Sequence, residues 1–268
     1  MLIIFLFSLI QGFTEFLPIS SQGHLIVFNE FLELDNTNIS IHDATILAHF
    51  GSLFAVMIYY SRTIKNFILS IKLIDRPDID KNSFLLVNII TSTIPVLFVG
   101  YFFSKFFKYE SDNILLIIAI SSIVFGLLMF FIDSFSLRIK NQNSLNYLTS
   151  FYIGIFQCLA LVPGVSRSGS VLTIMRYLGF QRRFCVFYSN LLSIPVIIAA
   201  TSFMFFSQYE SQVLEEIFSF DGIMIFAYSF IFSILFIFFF VSWVKRFSLS
   251  IFVIYRLLFG IFLILYII

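Results

Sequence analysis

Residues 11–23 read QGFTEFLPISSQG, and residues 157–169 read QCLALVPGVSRSG. The two stretches align without gaps at an offset of 146. Gln11 meets Gln157, Ile-Ser-Ser-Gln-Gly meets Val-Ser-Arg-Ser-Gly, and the prolines miss by one position. Each closes an apolar arm, residues 2–17 and 147–162, shorter than the roughly 20 residues that span a hydrocarbon core. Each arm runs into proline and a serine-rich turn, and a second short arm follows, near 24–33 and 170–179. Apolar arms of this length, broken at their ends, predict two re-entrant helix–loop–helix hairpins. Irregular backbone survives at that depth only where protein or water surrounds it.

The rest of the chain agrees with a membrane setting. Of 268 residues, 60% are hydrophobic and 12% charged, more apolar side chain than a soluble domain of this size can hide. Six further segments are long enough to cross: about 43–60, 84–103, 114–132, 184–206, 222–244 and 251–268. The expectation is an all-α polytopic membrane protein, with six transmembrane helices plus the two hairpins, forming one integral domain over residues 1–268. Three spans follow each hairpin, and an odd number of crossings turns the second copy upside down. Inverted repeats at about 1–132 and 147–268 would bring the hairpin tips together from opposite faces, near mid-membrane.

Charge sets an expected orientation. If the loop at 61–82 is cytoplasmic, eleven of the 16 Lys and Arg residues fall on that face. Only Lys105 and Lys108 fall outside, with the acidic stretches 30–35 and 210–221. That bias predicts both termini on the outer side. No basic tract suggests nucleic acid, and no cleavable signal peptide is expected. Cys158 and Cys185 lie in apolar segments and read as small buried hydrophobes rather than a disulfide pair.

The tips carry the chemistry. An ionised side chain at the bilayer centre costs about 2.5–3.5 kcal/mol. Glu15 and Arg167 come from opposite copies, so touching tips would let each offset the other. Ser20, Ser21, Ser166 and Ser168 add hydroxyls, Gly23 and Gly169 add bare backbone, and His24 adds an imidazole. Ser- and Gly-rich turns before a short helix present N–H groups to an anion, and an Arg fork suits phosphate oxygens. The combination describes an oxyanion pocket. Beside it, Glu15 could hold a divalent cation or act as a base, and His24 could attack phosphorus or shuttle a proton. Gln11 lies one helical turn before Glu15 and can support it. His49 and Asn190, inside spans, suit interhelical hydrogen bonds as well as a site. His42 reads as a solvated loop residue. Arg176 suits either a cap of the second hairpin or a headgroup contact. Arg256 needs a partner that the sequence does not name, and Pro95 and Pro195 read as kinks.

At these two motifs the chain resembles the bacterial undecaprenyl-diphosphate phosphatases, the bacitracin-resistance family. QGFTEFLPISSQGHL and FQCLALVPGVSRSGS look like that family's paired signatures, and LLSIP (191–195) and the span pattern match as well. The resemblance implies an inner-membrane enzyme that releases one phosphate from undecaprenyl diphosphate and so recycles the lipid carrier of cell-wall synthesis. It implies catalytic roles for Glu15, His24, Arg167 and Ser21. Ser20, Ser166, Ser168, Gly169 and Gln11 would contact substrate, and Glu15 would bind a divalent cation, Mg or Ca. The sequence does not settle whether His24, Ser21 or water attacks; His24 is the favoured nucleophile, because its imidazole is already neutral near pH 7. Two positions depart from the family pattern: Gln11 replaces a common Glu, and Val171 replaces a common Thr. The implied partners are a prenyl diphosphate lipid and the membrane, and a homodimer is compatible with the sequence. A rival reading from another class is a transporter or flippase of a lipid phosphate or small anion. It would need the anion cradle but not Glu15 with His24.

Overall fold

The computed structural model describes residues 1–32, 39–106, 113–207 and 217–268. Lys108 and most of the acidic stretches 30–35 and 210–221 lie outside the described residues. Within them the fold is all-α, and six helices are long and apolar enough to cross a membrane. The chain is a multi-pass membrane protein.

The first hairpin is α1 (Leu2–Thr14) and α2 (Ser21–Leu32). Helix α1 is apolar almost throughout and ends where Pro18 removes a backbone donor and disfavours helical geometry before it. At 13 residues and about 1.5 Å per residue, it reaches only part of the way across a bilayer. Three helices that are long enough follow: α3 (Ile41–Tyr59), α5 (Lys81–Phe106) and α6 (Ile114–Phe135). The amphipathic α4 (Ser61–Ser70) sits between the first two. Asp80 opens α5 by accepting from the backbone N–H groups of Ser83 and Asn82. The Ser83 bond is the main reason that its carboxyl is held below the usual carboxylate range.

The second hairpin is α7 (Tyr147–Gln157) and α8 (Arg167–Tyr177). Asn146 caps α7 through a reciprocal pair with Thr149, which satisfies two of the first-turn donors. Then come α9 (Arg182–Ser207), α10 (Phe220–Trp243) and α11 (Ser250–Ile267). The span boundaries fall within a few residues of those read from hydropathy. Pro95 and Pro195 lie inside α5 and α9.

Packing brings the hairpins to the centre. Helix α1 lies against α10, and α7 lies against α5; α6 packs on α11, and α3 on both α9 and α10. The first arm of each hairpin thus rests on a span from the other half of the chain. One core cluster runs from Phe16, Leu17 and Ile19 to Val171, Leu172 and Tyr188. Most polar side chains inside the bundle find partners, as a dry interior favours. Ser92 donates to the Ser150 carbonyl at 2.7 Å, Ser150 donates to Asn88 at 2.6 Å, and Tyr188 donates to the Asn88 carbonyl at 2.8 Å. Asn190 donates to Tyr60 at 3.2 Å, so it serves as an interhelical partner. Cys158 and Cys185 are free thiols.

Arg176 is fully buried and ties α8 to the end of α6. It donates to Asp133 at 2.7 Å and to the carbonyls of Asp133, Ser136 and Leu137. Arg182 takes the other Asp133 oxygen at 2.7 Å. Of the two roles that the sequence allowed Arg176, these contacts match the cap: it holds the end of the second hairpin.

Candidate active site

Both turns fold the same way. Ser20 and Ser166, 146 positions apart, adopt positive φ, 73° and 74°. Each hydroxyl then accepts from a glycine N–H three residues on, Gly23 at 3.3 Å and Gly169 at 3.1 Å. Left-handed backbone at a non-glycine residue costs about 1–2 kcal/mol, and the cap offsets part of it. Gly164 also has positive φ, +91°, and a Cβ there would strike the Ser121 hydroxyl.

The two turns meet. Ser168 donates across to the Leu17 carbonyl at 2.7 Å. Arg256, reaching in from α11 with almost no exposure, joins both turns: Nη1 donates to the carbonyls of Pro18 (3.2 Å) and Val165 (3.0 Å). Nη2 donates to Gly164 at 2.9 Å, and Nε to Ser122 at 3.2 Å. The partners that the sequence left unnamed are backbone carbonyls. Each of those acceptors would cost about 1–3 kcal/mol if left unmade, so Arg256 is the clasp of the junction.

Beside the clasp lies a cavity of about 180 Å³ lined by Glu15, Ser20, Ser21, His49, Ser166 and Arg167, with apolar residues of α9 on one side. Glu15 is its hub. Arg167 Nη2 meets Glu15 Oε1 at 3.2 Å, and its other terminal nitrogen donates to the Ser189 carbonyl at 3.0 Å. Ser21 donates to Glu15 Oε2 at 2.7 Å, and Gln11 donates to the same oxygen at 3.1 Å. Gln11 also reaches Ser52 at 3.3 Å. His49 Nδ1 faces the Thr45 carbonyl at 2.8 Å, which can only accept, so Nε2 is the atom turned to Glu15, 3.5 Å from Oε2. A guanidinium from one turn and a carboxylate from the other therefore share a small hollow with a hydroxyl bonded to the carboxylate.

The fold sorts the sequence candidates. Glu15, Ser20, Ser21, Ser166 and Arg167 line the cavity, and Gln11 braces Glu15 from behind. Ser168 and Gly169 are spent on the junction: Ser168 on Leu17, and Gly169 against Arg256. His24 is not among the lining residues. Its Nδ1 donates to the Ser20 carbonyl at 2.7 Å, and its Nε2 lone pair is met by the Tyr255 hydroxyl at 2.7 Å. The ring stacks on Phe259 at 4.2 Å. With both nitrogens engaged, that imidazole braces the turn from the α11 side. His49, left undecided from sequence, lines the cavity instead. The available signal was its spacing to Ser52: three residues apart on a helix share a face, and that face meets Gln11 and Glu15.

Among the described residues, no group of three or more His, Cys, Asp or Glu side chains is close enough to hold a metal by itself. A hard cation that arrives with a diphosphate needs less, one or two carboxylates together with phosphate oxygens. Glu15 supplies a carboxylate, and the buried Gln11 Oε1 beside it has no hydrogen-bond partner. The donor set fits a cation shared with substrate.

Comparison with known proteins gives a consistent picture. The family described as "Bacitracin resistance protein BacA" matches residues 4–262. The Undecaprenyl-diphosphatase of Aliivibrio salmonicida is 36% identical over 257 residues, covering 96% of this chain and 94% of that protein. The Undecaprenyl-diphosphatase of Prochlorococcus marinus strain AS9601 is 38% identical over 265 residues, covering 96% and 93%. That of Pelagibacter ubique is 33% identical over 263 residues, covering 97% and 95%.

Proposed function

The chain belongs to the BacA family of bacitracin resistance proteins, and from that premise we propose how it acts as an undecaprenyl-diphosphatase. It hydrolyses undecaprenyl diphosphate to undecaprenyl phosphate and inorganic phosphate. The observation that carries the mechanism is the Glu15–Arg167 pair between the two turns, with the Ser21 hydroxyl on the same carboxylate.

Phosphoryl transfer needs positioning and charge stabilisation more than covalent chemistry from the protein. Arg167, with the Ser20 and Ser166 turns beside it, holds the diphosphate and stabilises charge as it develops. Ser21 Oγ attacks the terminal phosphorus while its proton passes to Glu15 Oε2. The bond from that phosphorus to the bridging oxygen breaks, and undecaprenyl phosphate leaves with the electron pair and takes the proton from Glu15. Water then attacks the phosphorylated Ser21, giving a proton to Glu15. The Ser21 oxygen departs and recovers that proton as phosphate is released. Gln11 holds the Glu15 carboxylate in place by donating to it, and His24 positions the turn rather than the phosphate. A divalent cation, Mg or Ca, would use Glu15 and the diphosphate oxygens as ligands; when bound it supplies charge neutralisation at the reacting phosphate.

We place the protein in the inner membrane with both termini outward and the halves 1–132 and 147–268 as inverted repeats. The repeated turn geometry and the cross-packing of α1 on α10 and α7 on α5 support this arrangement. Cysteines introduced at positions 35 and 213 should label from outside intact cells while one at 78 stays protected; the reverse pattern overturns the orientation. The activity is tested with purified protein in detergent, undecaprenyl diphosphate and Mg or Ca. Phosphate release that disappears on chelation is expected, and no release from the wild type sinks the reading.

A further inference from the structure

The hollow at the turns, about 180 Å³, suits a phosphate headgroup but not a polyprenyl chain, since pockets that enclose even drug-sized ligands run to roughly 300–1,000 Å³. A second cavity of about 340 Å³ lies between α5, the turn at Cys158–Leu161 and α9. Val196 and Ala200 line both cavities. The second is walled by Val96, Gly100, Leu161, Ala199 and Phe203 among others, and only Tyr101 among its lining side chains carries a hydroxyl. Its space comes from sequence: Gly100 on α5 faces Ala199 and Ala200 on α9, where larger residues would close it. Leu97, Tyr101 and Phe203 at its rim are exposed, so its mouth opens on the lipid-facing surface of the bundle.

We propose that this cavity seats the prenyl units next to the diphosphate, with the remaining tail leaving between α5 and α9 into the bilayer. The inference rests on the phosphatase reading, which supplies the occupant's chemistry: a charged head joined to an apolar chain. Continuity supplies the place. A diphosphate held by Arg167 and the serines puts its ester oxygen near the polar cavity's apolar wall. Val196 and Ala200 form part of that wall and are also the start of the apolar slot. The apolar contacts favour substrates whose tails are long enough to fill it.

Two measurements test the assignment. First, kcat/KM is compared for undecaprenyl diphosphate and for dimethylallyl diphosphate, whose single prenyl unit leaves most of the slot empty, in the wild type and in Gly100→Leu and Ala199→Phe. An added Cβ at Gly100 meets only Leu161, at an ordinary 3.5 Å, so the longer side chain projects into the slot. The ratio of long-tail to short-tail kcat/KM should fall by about tenfold or more, the range for mismatched apolar contacts in a pocket. Val99→Leu, on the exposed side of the same helix, serves as the control and should leave the ratio alone. Second, a prenyl diphosphate with a photoreactive group on the units nearest the phosphates is crosslinked to wild-type protein. Mass spectrometry should find the label on residues 96–101 or 196–204. An unchanged ratio in both slot variants, or label confined to α10 or α11, overturns the proposal. If the wild type hydrolyses neither diphosphate, the phosphatase reading fails instead, and the crosslink still decides the slot.

Discussion

The turns at Ser20 and Ser166 share a backbone and divide the chemistry. Their φ angles differ by a degree, and their caps repeat residue for residue. The side chains at matching positions diverge: Glu15 against Leu161, Ser21 against Arg167, His24 against Ser170. Even the paired glutamines part company. Gln11 donates to Glu15, whereas Gln157 donates to the Ser92 carbonyl at 3.4 Å and serves packing. A repeated turn geometry brings two loops together, and the residues that differ between them decide which loop brings the carboxylate, which the hydroxyl and which the guanidinium. The arrangement also keeps the charges affordable in the membrane, because carboxylate and guanidinium meet only when both turns are in place.

Substitutions at four positions probe that division of labour. Arg167→Ala should have the largest effect, lowering kcat for phosphate release by on the order of 10³-fold or more, as loss of a transition-state arginine does. The carboxylate it leaves buried should also lower thermal stability. Next comes His24→Ala. A turn displaced by about 1 Å costs on the order of 10²-fold in rate, and His24→Gln, which keeps a donor for the Ser20 carbonyl, should recover part of the loss. Equal activity of the Ala and Gln variants would remove His24 from the positioning role. Gly164→Ala combines positive φ with a contact on Ser121 and should cost about 2 kcal/mol in stability, read as a lower melting temperature in detergent. The smallest effect is expected for Ser166→Gly. Relief of left-handed backbone and loss of the cap oppose each other, so stability should change by less than about 1 kcal/mol.

The sequence was informative where physics is local or periodic. Long apolar runs gave six crossings, and proline followed by serines marked both broken arms. The offset of 146 put Glu15 and Arg167 on facing turns, where they form an ion pair. What it left open depended on direction. His24 and Ser21 share the first turn of α2, three residues apart, yet Ser21 points to Glu15 and His24 to Tyr255 on a helix 231 positions away. Which of them faces the hollow is set by how α2 rotates against α11, and spacing carries no such information. Arg256 was ambiguous for the same reason: its partners include carbonyls supplied by distant turns. The apolar slot was equally hidden, because Gly100, Ala199 and Ala200 read as ordinary membrane-helix residues until α5 and α9 are laid side by side.

The most direct test compares Ser21→Ala with His24→Gln in the same phosphate-release assay on undecaprenyl diphosphate. In the proposed mechanism the hydroxyl 2.7 Å from Glu15 attacks phosphorus, so Ser21→Ala should lose on the order of 10³-fold or more in kcat and fall well below His24→Gln. A Ser21→Ala protein as active as wild type, with His24→Gln inactive, would contradict the account and return the reaction to the imidazole.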